Sequence, residues 1–178
     1  MLFADVVGFT PLTTKLEPEQ TVAILNELFT LLTEIVFKHD GTVDKFIGDC
    51  VMAFWNAPGE QADHVRRALE CAEDMQTWLE SGNERWKTKY GVTIELAIGI
   101  HTGEAIVGNI GSEKRMEYTA IGNVVNLAAR LEVVARPSQI LVTDAVKTAA
   151  GDGYDMIDAD LHRLTGWAEP VHLWEFRP

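Results

Sequence analysis

Cysteine is scarce in this chain, with only Cys50 and Cys71 among 178 residues. Two thiols make no disulfide framework, which points to a reducing compartment and a cytoplasmic location for this domain, whether or not the full-length protein is membrane-attached. Positive charge is scarce too. Fifteen Lys and Arg stand against 27 Asp and Glu, a formal net charge of −12. Nucleic-acid binding rests on basic residues that neutralise phosphates, so this balance argues against a nucleic-acid partner, though not against one nucleotide in a local pocket. No uninterrupted apolar run reaches the ~18 residues of a membrane span, and no signal-peptide pattern is present. The motifs GxxxxGK[ST], GxGxxG, HExxH, CxxC and GxSxG are all missing. The chain therefore lacks the signatures of P-loop, dinucleotide-binding, zinc-protease, dithiol and α/β-hydrolase chemistry. Gly108-Asn109-Ile110-Gly111 matches none of the phosphate loops.

Repeats, low-complexity stretches and long linkers are also absent, and the length suits one domain with a sizeable core. The strand pattern begins at once, at Leu2, which leads us to expect a domain cut from a longer, multidomain protein. Periodicity predicts a strand over Leu2–Val7 and a helix over Pro18–His39, with Leu25, Leu28, Phe29, Leu32, Ile35 and Val36 on one face and Gly41 as its stop. Thr42–Phe46 and Cys50–Trp55 read as a hairpin with Asp49 at its tip. A second helix spans about 62–88, with Val65, Ala68, Leu69, Ala72, Met75 and Leu79 as its stripe. Ile94–Ile100 and Glu104–Ile110 read as a further hairpin around His101-Thr102-Gly103, and Tyr118–Ile121 as a short strand. Asn123 looks like the N-cap of a helix that ends near Arg136, before Pro137. Ile140–Thr143, a short helix near 145–149 and Val171–Phe176 complete the order. The expected class is α+β: a sandwich of a mixed, mostly antiparallel sheet covered by helices.

Two segments are chemically distinctive. Phe3-Ala4-Asp5-Val6-Val7-Gly8-Phe9-Thr10 and Val43-Asp44-Lys45-Phe46-Ile47-Gly48-Asp49-Cys50 each set an aspartate in an apolar strand beside a glycine. A buried carboxylate is costly unless it is paired or bound to a cation. Two such groups suit a divalent metal held against a phosphate; two strand-end aspartates capping turns would leave the same pattern. Asn126 and Arg130 are one helical turn apart on a helix of small and apolar residues, so they share a face, as a site or as a plain polar edge. Lys45 and Thr119 carry no weight by themselves. His101, in a turn, is either a base or a structural histidine.

Together these segments resemble the class III nucleotidyl cyclase catalytic domain. The resemblance covers nearly the whole chain. It rests on four blocks in order: Phe3–Thr10, Gly41–Phe54, Gly99–Gly108 and Tyr118–Glu132. It implies that Asp5 and Asp49 are the two metal-binding aspartates, with the Val6 carbonyl as a further ligand, and that the cofactors are two divalent ions, Mg²⁺ or Mn²⁺. It implies that Asn126 orients the ribose, that Arg130 stabilises the transition state, and that Lys45 and Thr119 read the base. It further implies a ferredoxin-like βαββαβ core, a homodimer with active sites at the interface, and an upstream sensor or regulatory domain in the full-length protein.

The implied reaction turns ATP into 3′,5′-cyclic AMP and pyrophosphate. Lysine is donor-only, so Lys45 matches the N1 acceptor of adenine and clashes with the N1–H of guanine. A threonine hydroxyl can accept from the adenine amino group. Guanylyl cyclases carry an acidic residue where this chain has Lys45. Thr119 resembles a mainly bacterial subclass that includes bicarbonate-responsive members. Two departures concern the triphosphate: many relatives have basic residues where this chain has Ala97 and Thr165. The alternatives are a guanylyl cyclase, which Lys45 opposes, and a non-catalytic regulatory domain. The latter is expected to have lost Asp5, Asp49, Asn126 or Arg130, and all four are present.

Overall fold

A computed structural model describes every residue from Met1 to Pro178. Its centre is a seven-stranded sheet in the order β2-β3-β1-β4-β7-β9-β8, where β1 is Leu2–Val6, β2 Thr42–Ile47, β3 Cys50–Phe54, β4 Leu96–Ile100, β7 Ile140–Thr143, β8 Asp155–His162 and β9 Val171–Arg177. Only β4 and β7 run parallel. The helix between them, α4 (Asn123–Val134), supplies the crossover that a parallel connection needs. This is the mixed, mostly antiparallel α+β sheet expected from the sequence.

The central strands are buried on both faces, and their alternation sorts the core. Leu2, Ala4 and Val6 of β1, Val51 and Ala53 of β3, and Leu96, Ile98 and Ile100 of β4 face one side. There they meet Ile24, Leu28, Leu32, Ile35 and Val36 of α2 (Pro18–Lys38) and the stripe of α3 (His64–Tyr90), which includes Val65, Leu69, Met75 and Leu79. Phe3, Met52 and Phe54 face the other side, with Ala120 and with Ala128 of α4. By length and composition α2 could cross a membrane, at a mean hydropathy of 1.3. Here its apolar stripe lies on the sheet, and a Leu or Ile buried in this way contributes about 1.5–3 kcal/mol. Ile24 rather than Leu25 is buried, and Phe29 stacks on Phe46 with ring centroids 4.2 Å apart.

Several expectations are corrected. No hairpin forms around 101–103: β4 joins the large sheet, whereas β5 (Ile106–Ser112) pairs with β6 (Arg115–Ile121) as a separate two-stranded arm. Local alternation cannot tell these pairings apart, because both strands of a false hairpin show the same period. The N-cap of α4 is Gly122, with Asn123 already helical. The left-handed residue after α2 is Asp40; Gly41 is needed for space instead, since an added Cβ would lie 2.7 Å from the Trp55 ring. Strand β8 and the short helix α1 (Phe9–Thr13) were not foreseen. The exposed, acidic β8 (DMIDADLH) lacks an apolar stripe.

Gly99 sets the height of α4 above the sheet. A Cβ there would lie 2.4 Å from the Glu132 amide nitrogen and 2.5 Å from the Ala128 carbonyl oxygen. Backbone atoms of a packed helix cannot yield cheaply, and overpacking of this kind costs about 1–3 kcal/mol. Gly99→Ala is therefore expected to destabilise the fold by about 2 kcal/mol, read as a lower urea midpoint at unchanged slope. A variant as stable as the wild type would show that α4 does not rest on β4 at this point.

Candidate active site

Alternation decides where Asp5 points. It lies on the face opposite Ala4 and Val6, the one that carries Phe3 and receives α4. Register places it beside Ala97 of β4 and one step beyond the Ala4–Val51 pair, next to the β2–β3 turn. Gly48, at φ 65°, makes that turn, and Asp49 follows it at the tip. Ala97 is buried in the strand, while Thr165 is exposed on a loop.

Both aspartates are half-buried. Burial pushes the Asp5 carboxyl up, and the charge of Asp49 pushes it further; a hydrogen bond with the Glu132 carboxyl, and then the Val6 N–H, act in the opposite direction. Burial likewise raises Asp49. A third acid joins them that sequence reasoning passed over. Glu132, on α4, is pushed up to about 7 by burial first and then by Asp5, with a smaller push from Asp49. No cation is among the groups acting on these three acids. Uncompensated carboxylates in a shared, partly buried space repel one another, and a hard divalent cation with oxygen ligands relieves that repulsion. The oxygen donors of the two aspartates suit a hard divalent cation.

A second group forms where β2 meets the β5–β6 arm. Lys45 Nζ donates to Glu117 Oε2 at 2.8 Å and lies 3.4 Å from Asp44 Oδ1. Thr119 Oγ1 donates to Asp44 Oδ2 at 2.6 Å. The hydrogen bond to Glu117, and then Asp44, hold the Lys45 ammonium above its ordinary value, so it is charged at neutral pH. Lys45 and Thr119, far apart in sequence, are thus brought together. Asp44 and Glu117, which the sequence reading left without a role, do the joining. A strand pattern with two consecutive charged residues, Asp44-Lys45, was the available signal.

The third group is Asn126 and Arg130. Both are exposed on α4, and neither side chain has a hydrogen bond or ion pair within the protomer. The protomer brings Asp5 to Asp49 and Lys45 to Thr119. Lys45 pairs with Asp44 and Glu117, and neither Lys45 nor Arg130 forms an ion pair with Asp5 or Asp49 within the protomer. His101 follows β4 at the end away from Asp5, since Ile100 pairs with Leu2 and Ala97 with Asp5. Its Nδ1 lies 2.8 Å from Thr143 Oγ1, and burial pushes its pKa down to about 4. It is a structural histidine here.

The chain belongs to the adenylate and guanylate cyclase catalytic domain family, whose model matches residues 1–172. It is 38% identical over 153 residues to adenylate cyclase 1 of Rhizobium meliloti, covering 85% of this chain and 23% of that protein. It thus spans about a quarter of that relative's length. Its fold is similar to the adenylyl cyclase CyaB from P. aeruginosa, with a TM-score of 0.96 and 33% identity, covering 99% of this chain and 92% of that one. It is also similar to the guanylyl cyclase Cya2, at a TM-score of 0.94 and 36% identity over 98% of this chain and 89% of that one.

Carboxylate repulsion has a measurable consequence. Asp49→Asn removes one charge at constant shape, so the metal-free protein is expected to melt roughly 2 °C higher. The same change is expected to remove most of the further rise that millimolar Mn²⁺ gives the wild type, since a ligand stabilises only the state that binds it. An equal Mn²⁺ response in both proteins would place the metal elsewhere.

Proposed function

We propose that this chain is the catalytic domain of an adenylyl cyclase, converting ATP to 3′,5′-cyclic AMP and pyrophosphate at a site shared between two copies of the chain. The observation that carries the choice of base is the Lys45–Thr119 pair, a charged donor beside a hydroxyl whose hydrogen is already engaged. Adenine offers an acceptor at N1 and a donor at its amino group, and fits this edge. Guanine, with N1–H and a carbonyl, meets donor with donor and acceptor with acceptor. A guanylyl cyclase is the second reading, and the likeness to Cya2 is what favours it.

Asp5, Asp49 and the Val6 carbonyl are assigned to hold two divalent ions, Mg²⁺ or Mn²⁺. When bound, such ions lower the pKa of a hydroxyl and balance triphosphate charge. Asn126 orients the ribose. Arg130 presents a planar fork of donors to the negative charge that develops on the α-phosphate. The ribose 3′-hydroxyl releases its proton to solvent and its oxygen bonds to the α-phosphorus as the bond to the pyrophosphate oxygen breaks, so no protein nucleophile is required. Positioning and charge stabilisation carry the rate.

Lys45 and Arg130 form no ion pair with Asp5 or Asp49 within one protomer, which supports a homodimer with each site drawing on both chains. Exposed Phe46, Ile47, Ile106, Met116, Tyr118 and Ile121 flank β2 and the arm and offer apolar area for that contact. Both cysteines are free and buried, which supports a reducing cytoplasm. The greater length of the relatives supports a sensor or regulatory segment elsewhere in the full-length protein.

The test is purified protein with Mn²⁺ and either ATP or GTP, with the product identified by chromatography. Cyclic AMP from ATP is expected; cyclic GMP as the main product would overturn the base assignment. Lys45→Glu replaces a donor by an acceptor and is expected to raise the GTP-to-ATP ratio of kcat/KM by roughly tenfold or more. An unchanged ratio would remove Lys45 from the base edge.

The shared site has its own test. Asp49→Ala and Arg130→Ala homodimers are each expected to be nearly inactive. Random mixing makes about half the dimers mixed, and each mixed dimer has one intact site, so activity is expected to recover to at most roughly a quarter of wild type. Mixing Asp5→Ala with Asp49→Ala is expected to restore nothing. Recovery in that mixture alone would reverse the assignment of residues to chains.

A further inference from the structure

Asp44 belongs to neither the carboxylate cluster nor the groups assigned to touch substrate, yet its side chain is only 1% exposed. It is the extra residue of a β-bulge. Val43 pairs with Ala53 and Lys45 with Met52, so two steps along β2 match one along β3. In a regular strand, neighbours point to opposite faces, and only one of Asp44 and Lys45 could meet β6. The bulge turns both toward it. They meet Thr119 and Glu117, which are two residues apart and share one face of β6.

The hydrogen bonds at Asp44 then fix a hydrogen atom. Oδ2 accepts from Thr119 Oγ1 at 2.6 Å and from the Ala120 amide at 3.1 Å. Oδ1 has no hydrogen-bond partner and lies 3.4 Å from Lys45 Nζ. A hydroxyl has one hydrogen and two lone pairs. With its hydrogen held by a carboxylate in a short, charge-assisted bond, Thr119 has only lone pairs left to offer. Left free, the same hydroxyl would rotate and donate to a guanine carbonyl as readily as it accepts from an adenine amino group.

Resting on the adenylyl cyclase reading above, we propose that Asp44 is the positioning residue for base selection: by engaging the Thr119 hydrogen it makes that hydroxyl acceptor-only, which admits adenine and refuses guanine. Asp44 touches no substrate and acts through Thr119. Asp44→Ala frees the hydroxyl. Asp44→Asn does not, because the Ala120 N–H needs an oxygen opposite it, and the Asn carbonyl then takes the place of Oδ2 and still accepts from Thr119.

The experiment measures dissociation constants of 2′,3′-dideoxy-ATP and 2′,3′-dideoxy-GTP by calorimetry with Mn²⁺. Both lack the 3′-hydroxyl and cannot cyclise. The proteins are the wild type, Asp44→Ala, Asp44→Asn, Thr119→Val and the double variant Asp44→Ala/Thr119→Val. The wild type is expected to prefer the adenine nucleotide. Asp44→Ala is expected to reduce that preference roughly tenfold, in part by tighter binding of the guanine nucleotide. Loosening of the fold weakens both ligands and cannot produce that gain. Asp44→Asn is expected to keep the preference within about threefold of wild type, as a variant that retains the acceptor. In the Thr119→Val background, Asp44→Ala is expected to bring no gain in guanine affinity.

If Asp44→Ala weakens both nucleotides by the same factor, or if its effect on the preference persists in full without the Thr119 hydroxyl, the inference is overturned while the adenylyl cyclase reading stands. If the wild type itself binds neither nucleotide or prefers the guanine one, that reading falls and takes the inference with it.

Discussion

The direct contact of α4 with the backbone of β4 at Gly99 is the constraint on which the site depends. It brings Glu132 down beside Asp5, and the same helix then carries Asn126 and Arg130 outward on its exposed side. A bulkier residue at position 99 would lift the helix and part these groups together. The strands beneath are buried on both faces, so the platform has little freedom to adjust. Rigidity here has a chemical use. A hydrogen bond joins Glu132 to Asp5, and packing holds both beside Asp49 with no counter-charge, an arrangement that a hard cation would relieve.

Strand geometry sets the remaining positions. Alternation sends Asp5 to the α4 face, a left-handed Gly48 puts Asp49 at the adjoining turn, and a bulge lets Asp44 and Lys45 reach the same neighbour strand. Of these, the bulge departs by one residue from a regular sheet. Buried polar groups next to such departures are costly unless satisfied. Lys45, Thr119 and Glu117 each find partners in this way, which makes the Lys–Thr edge a fixed surface rather than a pair of mobile side chains.

Much of this was legible in the sequence, and the reasons differ by element. The stripes of α2 and α3 are strong because long helices repeat the same face many times. The β2–β3 hairpin was legible because Gly48-Asp49 marks its turn. The supposed hairpin around His101 failed because strand pairing is a tertiary choice: β4 is claimed by β1 and β7, and β5 by β6. Strand β8 was missed because an exposed edge with acidic residues carries no apolar period. At the site, Asp5, Asp49, Asn126 and Arg130 stood out by type and setting. Glu132 and Asp44 did not, since what distinguishes each is a neighbour distant in sequence: Asp5 for one, Thr119 and Ala120 for the other.

One chain holds every residue type the proposed reaction needs but holds them in separate groups. Arg130 remains in water, where a guanidinium is well solvated and costs nothing to keep ready. The carboxylates, half-buried, have no positively charged partner within the protomer. Were Arg130 beside Asp5 in the same protomer, an ion pair would neutralise both and compete with metal and triphosphate alike. Separating them keeps each half from quenching the other. On the proposed two-fold arrangement, the opposite charges then meet across the interface with metal and nucleotide between them. Association and substrate binding would in that case draw on the same electrostatic deficit, so each would strengthen the other.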